Sequence, residues 1–166
     1  MECSRATELA PAAPLALHRA TVLPEWVDYN GHMTESSYVL VFGHATDAFL
    51  DHIGMDDAMR RATATSVYTV ESHINYLAEA RQGEELAIDT RLLAHDAKRL
   101  HLHHAMRRAA DGRLLATTEL MLLHVDKAGP RAAPFRPATA AAIAAIAQAQ
   151  AGLAKPANVG RTIGLS

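Results

Sequence analysis

The segment LPEWVDYNGHMTESSYVL, Leu23 to Leu40, gathers the residues with which this chain can do chemistry. Asp28 is the only acidic residue between Trp26 and Thr34. An ionised carboxylate can take a proton from water as a general base, or attack an electrophile itself. Behind it, Asn30-Gly31-His32-Met33 leads into an apolar helical run, and the start of a helix carries unpaired N–H groups with partial positive charge. Amides near His32, Met33 and Thr34 therefore suit a developing oxyanion, each such donor being worth roughly 10²–10³ in rate. Gly31 lets a reacting group approach the backbone closely. The same letters are also ordinary turn chemistry, since Asp, Asn and Gly are the residues a tight turn selects.

These groups must be positioned by the elements around them. A first strand is expected from Leu15 to Leu23, ending near Pro24, after a tail over residues 1–14. From Thr34, placed to cap free N–H groups, the pattern is helical to Ile53. Its apolar residues, from Tyr38 to Ile53, cover most faces, which implies an enclosed helix. Gly54 ends it, and Met55 to Arg61 adds a short turn of helix. Beyond Thr63 the period becomes two. In TSVYTVESHINYL, strict alternation puts Tyr68, Val70, Ile74 and Tyr76 on one face and Val67, Thr69, Glu71 and His73 on the other. Gln82-Gly83 turns the chain, EELAIDTRLL forms a strand, HDAK turns again, and RLHLHHAMRR sets Leu100, Leu102 and Met106 opposite His101, His103 and Arg107. Asp111-Gly112 is a hairpin signal before the last strand, RLLATTELMLLHV. Residues 131–166 form a C-terminal segment with an Ala-rich helix from Pro137 to Ala151. The sum is an α+β domain over residues 15–130, with an antiparallel five-stranded sheet, one strand before the helix and four consecutive hairpin-linked strands after it, wrapped around one long central helix. Such a sheet has open edges, and pairing two copies through an edge strand removes one.

Composition narrows the function classes. With 166 residues the chain fits one domain with a real core. The formal charge is −2 and the basic residues form no long block, which argues against nucleic acid as a partner. No segment has the roughly 20 apolar residues of a membrane span. The one cysteine, Cys3, has no partner for an internal disulfide, and a reducing cytoplasm is the expected location. The histidines lack the three or four converging ligands of a zinc site, so no metal and no cofactor is expected.

In element order and motif the chain resembles the hotdog-fold acyl-CoA thioesterases of the 4-hydroxybenzoyl-CoA thioesterase type. WVDYNGHM followed by a helix is similar to that family's W-x-D-x-N-G-H-x-N loop, with Thr34 where many relatives carry Asn. The segments VESHINYLAEARQGEEL and HDAKRLHLHHAM resemble more closely the betainyl-CoA thioesterases of carnitine breakdown. The resemblance implies hydrolysis of an acyl-CoA thioester, with a thiolate leaving group that needs no strong general acid. Asp28 would act as base or nucleophile, with Asn30, Gly31, His32 and Met33 around it. It also implies a homodimer or a dimer of dimers. Trp26 and Tyr29 then flank the carboxylate as rings for a quaternary ammonium group, with Thr34 and Tyr68 as further substrate contacts. Glu71 and His73, on one strand face, hold a water or orient the acyl group; equally, they are a polar pair on the outer surface. Lys98 and Arg99 meet the phosphates of coenzyme A, or are a solvated hairpin tip. Two rival functions share the fold: a hydratase using Asp28 with His32, and a non-catalytic acyl-CoA-binding module.

Overall fold

The structure is a computed structural model, and it describes residues 12–165. Most of the expected N-terminal tail, with Cys3, lies outside the described residues. The five expected strands are present as β1 (Leu15–Thr21), β2 (Thr65–Tyr76), β3 (Glu85–His95), β4 (Arg99–Arg108) and β5 (Leu114–Asp126). A two-residue strand, β6 (Arg131–Ala132), adds to the end of β5, and every pairing is antiparallel. Three helices, α1 (Glu35–His52), α2 (Asp57–Thr63) and α3 (Pro137–Gln150), complete the fold. This is the α+β hotdog architecture, a curled sheet around a long helix.

The sheet order, β1-β3-β4-β5-β2, corrects the expectation of consecutive hairpins. Among the five expected strands only β3–β4 and β4–β5 are hairpins; β2 pairs with β5 at the opposite side of the sheet from β1. Gln82-Gly83 does turn the chain, with Gly83 at φ +80°, but the turn ends a crossing rather than a hairpin. Residues 77–84 run across the end of the sheet, where the amides of Leu77 and Ala78 donate to the Leu115 carbonyl and Arg108 donates to the Glu79 carbonyl. That crossing carries Glu79 and Ala80 to the loop before α1.

A second correction concerns β2. The pairing slips between Thr69 and Glu71, so Val70 is the extra residue of a β-bulge. A bulge reverses which face every later side chain takes. Tyr68 therefore faces outward with Glu71 and His73, beside Leu123, Met121 and Glu119 of β5, while Ile74 and Tyr76 face inward beside Thr118 and Ala116.

The core lies between the inner face of the sheet and α1. Tyr38, Val41, Phe42 and Ala45 meet Ile88, Met106 and Leu115 in one cluster; Phe49, Leu50 and Ile53 meet Leu92, Leu102, Leu120 and Leu122 in another. The helix is not enclosed all round, as its apolar residues implied. Val39 and Leu40 are 50% and 45% exposed, because a single sheet covers one side of a helix and these two point away from it. The Ala-rich helix α3 buries Ile143 and Ile146 in the second cluster. Its last residue, Gln150, accepts the Leu92 amide at 2.9 Å, a donor that β1 does not reach.

After α3 the chain crosses the outer face of the sheet as a strap. Arg91 of β3 donates to the carbonyls of Leu153 and Ala154, Asn158 donates to Thr117 Oγ1 at 3.2 Å, and the Gly160 amide donates to Glu119 Oε2 at 2.7 Å. His103, expected on an open polar surface, is 6% exposed beneath it.

Candidate active site

A 3-10 turn at Pro24–Trp26 leads into a tight reversal. The Asp28 amide donates to the His32 carbonyl at 3.0 Å, the Gly31 amide to the Asp28 carbonyl at 3.0 Å, and Val27 pairs with Met33. Gly31 sits at φ +77°, which favours glycine, and the space a Cβ would take is open. One oxygen of Asp28 accepts the Asn30 amide at 2.8 Å, and the other lies 3.4 Å from Asn30 Nδ2. The half-buried carboxylate is thus held by its own turn, six residues before the capping position of α1. The turn chemistry legible in the sequence is real, and it fixes the carboxylate in place.

Two of the expected oxyanion donors are occupied. The Met33 amide donates to the Ala80 carbonyl and the Thr34 amide to the Trp26 carbonyl, each at 2.8 Å. These bonds tie the loop to the 77–84 crossing and fix its entry into the helix. Thr34 is the capping residue by position, but its hydroxyl pairs with those of Ser36 and Ser37 and takes no helix amide. Among the described residues, the amides of His32, Glu35 and Ser36 have no hydrogen-bond acceptor in the chain. They are the donors left for a ligand at the helix start.

Beside them opens a cavity of about 430 Å³, lined by His32, Met33, Glu35, Tyr38, Tyr76, Leu77, Ala78 and Glu79. His32 Nε2 lies 2.9 Å from Glu79 Oε2. The rings of Tyr38 and Tyr76 meet edge to face with centroids 5.4 Å apart. Tyr38 is buried and fixed, since its hydroxyl accepts the Ala80 amide at 3.0 Å and donates to the Ala78 carbonyl at 3.3 Å. Burial pushes its phenol up from the ordinary value, against the Ala80 hydrogen bond. Burial does the same for Tyr76, with Glu35 adding to the shift. Sequence reasoning does not single out Glu35 or Glu79, and it places Tyr38 in the apolar run of the helix and Tyr76 on one face of a strand. Nothing periodic marks Glu79, because its position depends on the course of the crossing.

The remaining expected residues are elsewhere. Trp26 packs against the core, and Tyr29 is 97% exposed, so the two rings do not form a cage over Asp28. Glu71 and His73 line a different cavity, about 340 Å³, on the outer face with His101, Glu119 and Arg161. There His101 Nε2 lies 2.6 Å from Glu119 Oε1. Tyr68 is on that outer face too. Lys98 and Arg99 sit in the β3–β4 turn, at the other end of β3 from the loop, about 30 Å away at ~3.3 Å per strand residue. Arg99 pairs with Asp96 there, at 2.6 Å. Within one protomer they do not share a site with Asp28.

One histidine is wholly internal. His104 stacks on Phe42, with Nε2 3.0 Å from Thr46 Oγ1 and Nδ1 2.9 Å from Thr90 Oγ1. Thr46 donates its proton to the Phe42 carbonyl, so Nε2–H donates to Thr46 and Nδ1 accepts from Thr90. The ring is neutral, its pKa lowered to about 3 by burial.

Fold, loop and helix start together define a hotdog enzyme that cleaves thioesters. Residues 22–143 match the model of the thioesterase-like superfamily, and the chain belongs to that family as a thioester hydrolase. It is 48% identical over 151 residues to a betainyl-CoA thioesterase of Pseudomonas aeruginosa, covering 91% of this chain and 95% of that one. A solved protein of Pseudomonas putida is 40% identical with a TM-score of 0.80, covering 92% of this chain and 97% of that one. A Staphylococcus aureus protein solved in complex with CoA superposes with a TM-score of 0.86 at 27% identity, covering 93% of this chain and 98% of that one.

Proposed function

We propose that this enzyme hydrolyses betainyl-CoA to glycine betaine and coenzyme A, with Asp28 as the catalytic carboxylate. The observation that carries the reading is the likeness to the Pseudomonas aeruginosa enzyme, which runs nearly end to end on both chains and includes the whole loop and helix start. The thioester carbonyl lies at the start of α1, its oxygen toward the free amides of His32, Glu35 and Ser36. Asp28 takes a proton from water as the water oxygen bonds to the carbonyl carbon, or forms that bond itself as a mixed anhydride that water then opens. The oxyanion collapses, the C–S bond breaks, and coenzyme A departs as thiolate, its pKa being near the ~8.5 of a cysteine thiol.

The working unit in this reading is a homodimer. Support comes from β2, a 12-residue edge strand on which Tyr68 and Val70 are exposed, and from Val39 and Leu40 of α1, which the sheet leaves uncovered. No described helix is long and apolar enough to cross a membrane, and an acyl-CoA substrate with one cysteine in the chain favours a cytoplasmic setting. A thiol-release assay over betainyl-, acetyl- and palmitoyl-CoA tests the proposal. Betainyl-CoA is expected to give the highest kcat/KM; a preference for palmitoyl-CoA rejects it.

A further inference from the structure

Granting betainyl-CoA as substrate, the reading on which this inference rests, the place of its cation remains to be found. We propose that the trimethylammonium group seats in the cavity beside the start of α1, with Glu35 and Glu79 as specificity-determining carboxylates and Tyr76 as its ring contact.

Covalent geometry limits where the cation can go. In a betainyl thioester the nitrogen is one methylene from the carbonyl carbon, the same N–C–C unit as in a peptide, so the two atoms are only ~2.5 Å apart. A carbonyl held by the amides at the start of α1 forces the ammonium into the adjoining space. That space is the cavity between His32, Glu35, Tyr76 and Glu79. The flanking pair Trp26 and Tyr29 cannot serve, one ring being packed against the core and the other in solvent.

The lining suits this ion. A quaternary ammonium has no N–H to donate, so it is recognised by negative potential and by aromatic faces rather than by hydrogen bonds. The cavity has both kinds of group, and no Lys or Arg lines it. The start of a helix is a poor neighbour for a cation, carrying about half a positive charge. Two carboxylates outweigh that half charge several-fold. Glu79 is held by His32, whose Nε2 lies 2.9 Å from its Oε2, and the ring of Tyr76 is held by its hydroxyl donating to the Glu35 backbone carbonyl at 3.5 Å, with the Tyr38 ring behind it. Tyr76 is 48% exposed, so its ring remains accessible, whereas Tyr38 is buried and acts as its support. The arrangement binds an oxyanion and a cation within one short acyl group: amides for the first, carboxylates and a ring for the second.

The test compares betainyl-CoA with 3,3-dimethylbutanoyl-CoA, in which a neutral carbon replaces the ammonium nitrogen at nearly the same shape. The readout is the ratio of the two kcat/KM values, for the full-length wild type, Glu35→Gln, Glu79→Gln and the double variant, with circular dichroism to confirm folding. The wild type is expected to favour betainyl-CoA, each single variant to lower the ratio about tenfold, and the double variant to lower it further. Tyr76→Leu, which removes only the ring, is expected to lower it by a smaller factor. A wild-type preference that persists in the double variant overturns the cation site and leaves the enzyme a betainyl-CoA thioesterase. Equal losses on both substrates overturn it as well, since they mean a general rather than a charge-specific defect. A wild type that does not hydrolyse betainyl-CoA defeats the functional reading itself.

Discussion

His32–Glu79 and His101–Glu119 pair the same two residue types at 2.9 and 2.6 Å, with the histidines almost equally exposed at 28% and 27%. The carboxylates differ. Glu79 is 65% exposed over an open cavity, while Glu119 is 20% exposed and receives the Gly160 amide of the strap. For Glu119, burial pushes the carboxyl up, but the Gly160 amide and His101 outweigh it and leave its pKa below the usual range. One pair stands at the start of a helix beside an open cavity; the other holds the strap on the sheet. The same two residue types thus sit in different settings according to what else reaches them.

The sharpest way to break this division is at the loop. Asp28→Asn keeps the turn, because an Asn carbonyl oxygen can still accept the Asn30 amide, but it removes the charge that the proposed mechanism uses as base or nucleophile. Hydrolysis is expected to fall by ~10²–10⁴ with the circular dichroism spectrum unchanged. A folded Asp28→Asn enzyme turning over within threefold of wild type would move the chemistry away from this end of the molecule. The outer-face cluster of Glu71, His73, His101 and Glu119 would then be the place to look.

A second expectation concerns the histidines that belong to neither pair. His103 is held down to about 4 by burial, with Arg91 and His101 adding to the shift against Glu119, and His104 to about 3 by burial, with His103 and His18 adding. Both are neutral in the folded protein and protonate near pH 6.5 once unfolded. The unfolded state therefore binds more protons below that pH, and stability is lost as pH falls from about 6.5 toward 4. The slope is at most about 1.4 kcal/mol per pH unit for each ring. Urea midpoints at pH 7.5, 6 and 5 measure it, and His103→Asn should remove about half. A slope already halved in the wild type and unmoved by His103→Asn would mean that the strap opens and hydrates His103, so that the outer face is not the closed region described.

Most of the fold was legible in the sequence, and the reason is periodicity. Apolar spacing placed α1 to within a residue or two, and the alternation in RLHLHHAMRR assigned the faces of β4 correctly because no bulge interrupts it before Met106. In β2 the same reasoning failed at Val70, since one extra residue shifts Tyr68 to the other face and leaves no compositional mark. Strand order was hidden for a related reason. A Gln-Gly turn looks the same whether it closes a hairpin or ends a crossing, and only long-range packing separates them. The site divided along the same line. Asp28 and the loop are local, and their motif was visible. Glu35, Tyr76 and Glu79 come together only because residues 77–84 cross the sheet, so no local pattern could have joined them.

The smallest expected effect lies on the outer face, and it tests whether that region is scaffold alone. Glu119→Gln keeps an acceptor for the Gly160 amide but loses the charge that strengthens this bond and the one to His101. The expected cost is about 1 kcal/mol of stability, since both side chains retain some solvent. Hydrolysis should change less than twofold, and Glu71→Gln, at an exposed position on the same face, should change neither quantity measurably. Glu79→Gln should show the reverse, with discrimination between charged and neutral acyl groups lost and the urea midpoint nearly unmoved, because an exposed ion pair contributes little to folding. Matched measurements on these two variants therefore cross over if the two pairs have separate roles. If Glu119→Gln impairs turnover while its midpoint holds, the strap and the active-site cavity are coupled through the sheet, and the outer face is part of the enzyme's working surface.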